Sequence, residues 1–166
     1  MVCFLIAIVA LATPQRDDTL KYGEHTFAIR EIPMLGLWDY SKGEPPPGKM
    51  KPPLFDFAGS GNWKGYEAKW RIRDSTLFLD RMTAKRDGKR IKNEQIFPGE
   101  RFPLKAEWFT GRIHLPVGGY DEADQVYESV IVCHIENGTV VKMTFETSLR
   151  YTFGWNGLPQ VEAEVK

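Results

Sequence analysis

The chain has 166 residues, of which 22 are lysine or arginine and 22 are aspartate or glutamate. This length predicts a single domain, because one core of this size buries enough surface to fold without a metal or a disulfide. The formal net charge is +0, which argues against a specific nucleic-acid-binding function that depends on a basic excess facing phosphates. No stretch reaches the ~20 apolar residues that a membrane-spanning helix needs.

The first twelve residues are apolar and uncharged, and they end in Ala10-Leu11-Ala12. An apolar run closed by a small-x-small tripeptide is typical of a secretory signal, so residues 1–12 predict export or membrane anchoring. No Lys or Arg precedes the run, which favours the alternative of a first core strand in a cytoplasmic protein. Both localisations stay open, and in either case we expect the folded domain to span residues 18–166.

Short alternations of apolar and polar residues, separated by Gly, Pro, Asn and Asp, dominate the chain. A period of two is typical of an antiparallel β protein. We therefore expect an antiparallel β-barrel or β-sandwich of about seven or eight strands, with loops and at most one short helix. The Pro-rich segment 43–53 is predicted to be an exposed loop of that domain, because proline cannot donate to a strand ladder.

The clearest predicted hairpin turns at residues 74–75. This register sets Trp70 opposite Leu79 on an apolar inner face and Lys69 opposite Asp80 on a charged outer face. One wet and one dry face are expected for an antiparallel sheet that covers a core. A slip by one residue would turn Trp70 to solvent, so the burial of Trp70 is a direct test of the register.

The last predicted hairpin turns around Gly138. A two-residue turn at Asn137-Gly138 would mix polar and apolar side chains on both faces, whereas a loop over 136–138 with a left-handed glycine separates them. The second register is therefore predicted, with the following residues facing inward: Ser129, Ile131, Cys133, Ile135, Val141, Met143 and Phe145. It leaves Val130 and Val132 outward, so we expect another element to cover that end of the sheet.

The segment 106–115 predicts a strand whose outer face is suited to binding. Trp108, Arg112 and His114 lie on the same side of this expected strand. Tryptophan and arginine are frequent at the energetic centres of protein interfaces, so these three residues are the predicted binding site. The alternative is a second layer of the fold that covers Trp108.

Residues 85–92 (KRDGKRIK) form a basic cluster. Such a cluster is suited to phosphates or to an acidic partner. The dipeptide Asp87-Gly88 also marks a tight turn with long solvated side chains on both sides, and this structural interpretation is preferred because no aromatic residue is interleaved to stack on bases.

The sequence contains no motif that predicts catalysis, a metal or a cofactor. Cys133 adjoins His134, but neighbours on a strand point to opposite faces and cannot form a thiolate–imidazole pair. The three histidines have no ligand-type residue at a spacing that would share an inward face with them. The sequence therefore predicts no catalytic residues and no metal ligands.

Three groups of motifs resemble a family of small bacterial β-rich proteins of unassigned function. They are Asp18-Thr19-Leu20-x-Tyr22, then Trp63-x-Gly65-Tyr66-x-Ala68-x-Trp70 with Ile72-x-Asp74, and finally Trp108-Phe109-x-Gly111-x-Ile113. The resemblance covers about residues 18 to 145. It implies a bacterial origin and a compact β fold, and its aromatic motifs carry no catalytic or ligand residues. The apolar N-terminus and the Pro-rich segment depart from the family's pattern.

The leading hypothesis is a non-catalytic module that binds another protein, in the manner of a bacterial immunity protein that neutralises its partner. A second hypothesis is a small-ligand carrier with a lipocalin-like hollow barrel, whose cavity would be lined by Trp70, Phe109 and Met143. A third is a hydrolase whose site carries no familiar motif.

Overall fold

The described part of the chain consists mainly of β-strands. The computed structural model describes residues 16–41, 43–121, 126–153 and 159–162. The apolar segment 1–12, for which export or anchoring is predicted, lies outside these ranges. Within them, no helix has the length and apolar character needed to cross a membrane.

The strands are β1 (Asp18–Tyr22), β2 (His25–Ile29), β3 (Tyr66–Arg73), β4 (Thr76–Arg86), β5 (Lys89–Lys92), β6 (Leu104–Lys105), β7 (Gly111–Pro116), β8 (Tyr120–Asp121), β9 (Val126–Glu136), β10 (Thr139–Phe153) and β11 (Pro159–Glu162). A short α-helix, α1 (Asn93–Ile96), follows β5, and 3₁₀ turns occupy Pro33–Gly36 and Ser60–Asn62.

Seven of these strands form the main path of one sheet, in the order β2-β1-β3-β4-β10-β9-β7. The short strands β5, β6, β8 and β11 pair with members of this path. The prediction of a mainly β fold with at most one short helix is confirmed. The sheet is mixed, because β1 and β3 run parallel to each other, and it is not closed.

The hairpin of β3 and β4 has the predicted inner register. Trp70 pairs with Leu79, and only 1% of Trp70 is exposed. The predicted outer pair is wrong, because a bulge between Lys69 and Trp70 shifts the register and sets Lys69 opposite Arg81. Asp80 instead accepts a salt bridge from Arg71, with 2.7 Å between Arg71 Nη2 and the carboxylate.

The predicted loop over 136–138 is wrong. Thr139 pairs directly with Glu136, so Asn137 and Gly138 form a two-residue turn. A bulge at Val141 then shifts the ladder, and Cys133 lies opposite Met143. The prediction assumed an unbroken ladder, whereas the extra residue in the bulge separates the polar and apolar faces without a longer loop.

A single large hydrophobic cluster lies on the inner face of the sheet. Its largest fully buried side chains are Leu20, Ile29, Met34, Trp38, Tyr66, Trp70, Leu77, Leu79, Met82, Ile113, Leu115 and Ile135. Trp38 stacks on Phe97 with the ring centroids 5.9 Å apart, and its ring meets that of Tyr66 edge to face. The segment between β2 and β3 therefore contributes directly to the core.

Val130 and Val132 form a second small cluster on the opposite face, packed against Tyr127. Both valines are fully buried, so the prediction that another element covers them is confirmed. The segment after β2 lies at this face, since the guanidinium of Arg30 is 5.7 Å from the centroid of the Tyr127 ring.

The inner face of β10 is largely exposed, although the Tyr22 hydroxyl of β1 lies 3.5 Å from Met143 Sδ. Val141, Met143 and Phe145 are 53%, 37% and 64% exposed, so their predicted inward burial is wrong. β10 pairs with β4 only at Thr139, opposite Thr76, and beyond this point the two strands separate. The face that would have become an interior therefore meets solvent.

Candidate binding face and cleft

The three residues of the predicted binding site do not form an exposed stripe. His114 is only 3% exposed, and its Nδ1 lies within hydrogen-bond distance of a carboxylate oxygen of Glu31. Trp108 is half-buried and donates its indole N–H to the carbonyl oxygen of Pro33 at 3.2 Å. Arg112 is exposed, so it alone has the accessibility that the prediction required.

Trp108 does not share a strand with Arg112 and His114, because β7 begins only at Gly111. Trp108 lies in a turn before it, where the Phe109 N–H donates to the Ala106 carbonyl at 2.9 Å. The 3₁₀ turn at Pro33–Gly36 packs on this turn so closely that a Cβ at Gly36 would lie 2.5 Å from the Trp108 carbonyl oxygen. The alternative of a covering layer is therefore the observed arrangement.

A different surface, the outer face of β3, β4 and β5, is strongly basic. Five exposed cationic side chains lie on it: Lys69, Arg81, Lys85, Arg90 and Lys92. None of them has an ion-pair partner within the described ranges. We call this surface the basic face. Because the whole chain has a net charge of +0, the positive charge is concentrated here and balanced elsewhere.

Two pairs of cations lie directly opposite each other on this face. Lys69 pairs with Arg81 across β3 and β4, and Lys85 pairs with Arg90 across β4 and β5. Like charges opposite each other on neighbouring strands destabilise a sheet. The stability of the free protein does not account for this arrangement, whereas an anion bound between the cations would remove the repulsion.

The turn between β4 and β5 is held in place by Asp56. Its two carboxylate oxygens accept the backbone N–H groups of Asp87 and Gly88 at 2.9 and 2.8 Å. Asp87 and Gly88 both have positive φ, 52° and 73°, as a tight turn of this kind requires. The loop that follows the Pro-rich segment is thus fastened to the end of the basic face, and this positions Lys85.

A cleft of about 870 Å³ lies between that loop and the basic face. The residues that give its walls their chemistry are Arg16, Asp56, Phe57, Glu67, Lys85 and Arg90. Phe57 is 78% exposed, so an aromatic ring is available beside the cations. Asn62 also lines the cleft, and its buried side-chain oxygen has no hydrogen-bond partner within the described ranges.

The two carboxylates of the cleft are already engaged. Glu67 pairs with Arg16, and Asp56 accepts the turn N–H groups. Among the described residues, Lys85 and Arg90 are therefore the charged groups of the cleft that have no partner of opposite sign. Chemically, the cleft can hold a carboxylate or phosphate group next to an apolar surface.

The three residues that would line the cavity of a hollow barrel, Trp70, Phe109 and Met143, do not surround a common space. Trp70 and Phe109 are packed in the large core cluster, whereas Met143 lies on the largely exposed face of β10. His134 and the buried Cys133 lie on opposite faces, because His134 contacts Thr144 and Cys133 belongs to the core. The described residues contain no group of three potential metal ligands.

The sequence shows the basic cluster at 85–92, but its pattern favours a turn there and a binding site at Trp108, Arg112 and His114. The signal missed was the bulge at Lys69, which places Arg81 rather than Asp80 beside it.

Searches of protein-family models, curated proteins and solved structures find no match. The resemblance to small bacterial proteins of unassigned function therefore stays a prediction.

Proposed function

We propose that this protein is a non-catalytic interaction module that binds an acidic segment of a partner protein on its basic face. The observation that carries the proposal is the pairing of Lys85 with Arg90 on the wall of a cleft, without a carboxylate partner in the described ranges. Neutralisation of a partner, in the manner of an immunity protein, is one role that such a module performs.

An acidic protein segment fits this surface better than a nucleic acid does. The five cations of the basic face, which have no ion-pair partner among the described residues, extend from Lys69 to Lys92 across three strands. This width suits a segment that carries several acidic side chains. The net charge of +0 provides no long-range attraction toward a polyanion such as DNA. Charge complementarity of this local kind speeds association and selects partners, and the exposed Phe57 adds apolar contact area.

The test is binding of a fluorescently labelled glutamate-rich peptide to the full chain, followed by anisotropy. The double variant Lys85→Glu/Arg90→Glu is expected to bind the peptide at least about tenfold more weakly, because two attractive contacts become repulsive. The control for location is Arg112→Glu, a single exposed charge reversal on β7, three strands from β4 in the sheet order; it is compared with the single variant Lys85→Glu, which changes the net charge by the same amount. This control should bind as the wild type does.

Salt dependence provides a second readout. Affinity of the wild type should fall when NaCl is raised from about 0.05 to 0.3 M, since screening shortens the range of charge interactions. Peptide binding that is unchanged by the double variant, or weakened equally by Arg112→Glu, would contradict the proposal. Tighter binding of a labelled DNA duplex than of the peptide would also contradict the proposal, because it would indicate that the basic face recognises nucleic acid.

A small anionic ligand is the second candidate, and the size of the cleft favours it. A volume of about 870 Å³ lies within the range of small-molecule sites. The Asn62 side-chain oxygen can accept a hydrogen bond from a hydroxyl or amino group of such a ligand. Calorimetric titration with a nucleotide and with inorganic phosphate tests this function. Binding lost in Asn62→Leu, but retained in Lys69→Glu outside the cleft, would support a ligand carrier.

A further inference from the structure

One edge of β10 is open over most of its length. Along the opposite edge, β10 forms a nearly continuous ladder with β9 from Thr139 to Arg150. Along the open edge it meets β4 only at Thr139 and β11 from Arg150 onward. Between these points, residues 141–149 have no strand partner on that side within the described ranges.

β10 separates from β4 because it runs past the end of that strand. The pairing is antiparallel, so the residue of β10 after Thr139 lies at the turn before β4, where the Val140 N–H donates to the Ser75 carbonyl oxygen at 2.8 Å. Residues 141–149 therefore lie beyond the first residue of β4 and have no part of that strand beside them. The open edge of β10 presents unpaired main-chain groups beside exposed apolar side chains, a combination that natural proteins normally cover or pair.

The sequence of this edge is symmetric about Thr144. One residue away on either side are the exposed apolar residues Met143 and Phe145, and two residues away are Lys142 and Glu146, which have opposite charges. Met143 and Phe145 share the largely exposed face of the sheet, since they pair with Cys133 and Ile131 of β9. The Tyr22 hydroxyl also lies on this face, 3.5 Å from Met143 Sδ.

Two copies that extend one sheet through a two-fold axis pair their β10 strands antiparallel. Residues that lie opposite each other in an antiparallel pair point to the same face of the sheet. The axis must therefore lie between the two copies of one and the same residue, which are then opposite each other. An axis at Thr144 sets Lys142 of each copy opposite Glu146 of the other, and Met143 opposite Phe145.

Neighbouring registers lack this complementarity. An axis at Met143 sets Lys142 opposite Thr144, and an axis at Phe145 sets Thr144 opposite Glu146 and Met143 opposite Thr147. Neither forms an ion pair between Lys142 and Glu146. The register at Thr144 forms two such pairs by symmetry and brings a thioether against an aromatic ring on both sides, which is a favourable contact.

From these observations we infer that the protein forms a homodimer in which the β10 strands of two copies pair antiparallel about a two-fold axis at Thr144. The occupant of the open edge is thus a second copy of this chain. The interface is separate from the basic face, so its presence does not depend on the proposed function.

The experiment is sedimentation equilibrium of the full chain and of two charge variants. Lys142→Glu and Glu146→Lys each place like charges opposite each other twice in the dimer, and each is expected to raise the dimer dissociation constant about tenfold. The double variant Lys142→Glu/Glu146→Lys restores both opposite-charge pairs and should dimerise as the wild type does. Arg112→Glu is the control for a charge change elsewhere.

Mixing the two single variants gives a sharper test of the register. One has two acidic residues at these positions and the other two basic residues, so they should form a heterodimer more readily than either forms a homodimer. A wild type that stays monomeric at all concentrations would overturn the inference. Association that no charge variant alters would also overturn it and would assign self-association to another part of the chain, such as the apolar residues 1–12. Circular dichroism verifies that each variant is folded.

Discussion

Nζ of Lys64 lies 2.7 Å from a carboxylate oxygen of Asp18, and the two side chains are 3% and 0% exposed. Asp18 also accepts the Ala68 backbone N–H at 3.2 Å and the Trp70 indole N–H at 3.3 Å. One carboxylate at the start of β1 is thereby joined to β3 and to the segment before it. Burial raises the pKa of Asp18, and Lys64 beside it acts in the opposite direction.

Removal of one member of this ion pair should be strongly destabilising. We expect Asp18→Leu to lower the free energy of unfolding by about 3–5 kcal/mol, because it leaves the buried Lys64 charge without a counter-charge. The combination with Lys64→Met should cost less than the sum of the two single variants. Urea denaturation of the four proteins in a double-mutant cycle measures this coupling.

The exposed pair of Arg16 and Glu67 provides the comparison. Its side chains are 66% and 48% exposed, so Arg16→Ala should cost less than about 1 kcal/mol. A loss for Asp18→Leu that is no larger than the loss for Arg16→Ala would show that the buried pair does not hold β1 in place.

Neutralisation of one cation of the basic face should stabilise the free protein. Lys85→Met removes the repulsion between Lys85 and Arg90 and is expected to raise the free energy of unfolding by about 0.2–1 kcal/mol at low salt. The gain should shrink at high salt because of screening. Lys51→Met is the control, since Lys51 has a carboxylate partner in Asp39 at 3.5 Å. Equal gains in both variants would speak against a specific repulsion.

The thiol of Cys133 should be unreactive in the folded protein. Cys133 is fully buried, and burial, followed by the nearby charge of Glu31, raises its pKa from 9.0 to about 11. In a Cys3→Ser background, we expect slow labelling by a thiol reagent at neutral pH and rapid labelling after unfolding in urea, because the thiolate is the reactive form. Rapid labelling of the native protein would contradict this burial.

The same shift predicts a pH dependence of stability. A folded-state pKa above the unfolded value means that the folded protein holds the thiol proton more tightly. The stabilising contribution is therefore complete below pH 9.0 and is lost as the pH rises toward about 11. Cys133→Ala should lack this part of the alkaline decline, which is measured by urea denaturation at a series of pH values.

Two turn glycines should differ in their tolerance of a side chain. Gly138 and Gly88 have similar positive φ values, 74° and 73°, so alanine is strained by about 1 kcal/mol at either position. A Cβ at Gly138 would also lie 2.6 Å from the Ala106 carbonyl oxygen, whereas nothing lies within 4 Å at Gly88. Gly138→Ala should therefore lower the midpoint of thermal unfolding clearly more than Gly88→Ala does.

Local patterns in the sequence were sufficient to predict the inner register of the hairpin of β3 with β4. Trp70 pairs with Leu79, because a two-residue turn determines the register of the residues next to it. Bulges were not predictable in this way. They shift the register without a distinctive residue, so the sequence predicts Lys69 opposite Asp80, whereas the structure places it opposite Arg81.

Alternation of apolar and polar residues determined the strands and the two faces of each one, because successive side chains of a strand point in opposite directions. Which face meets solvent was decided by the tertiary structure. The segment after β2 covers His114, and the separation of β10 from β4 exposes Phe145. Burial depends on chain segments that are distant in sequence, so the pattern within one strand does not contain this information.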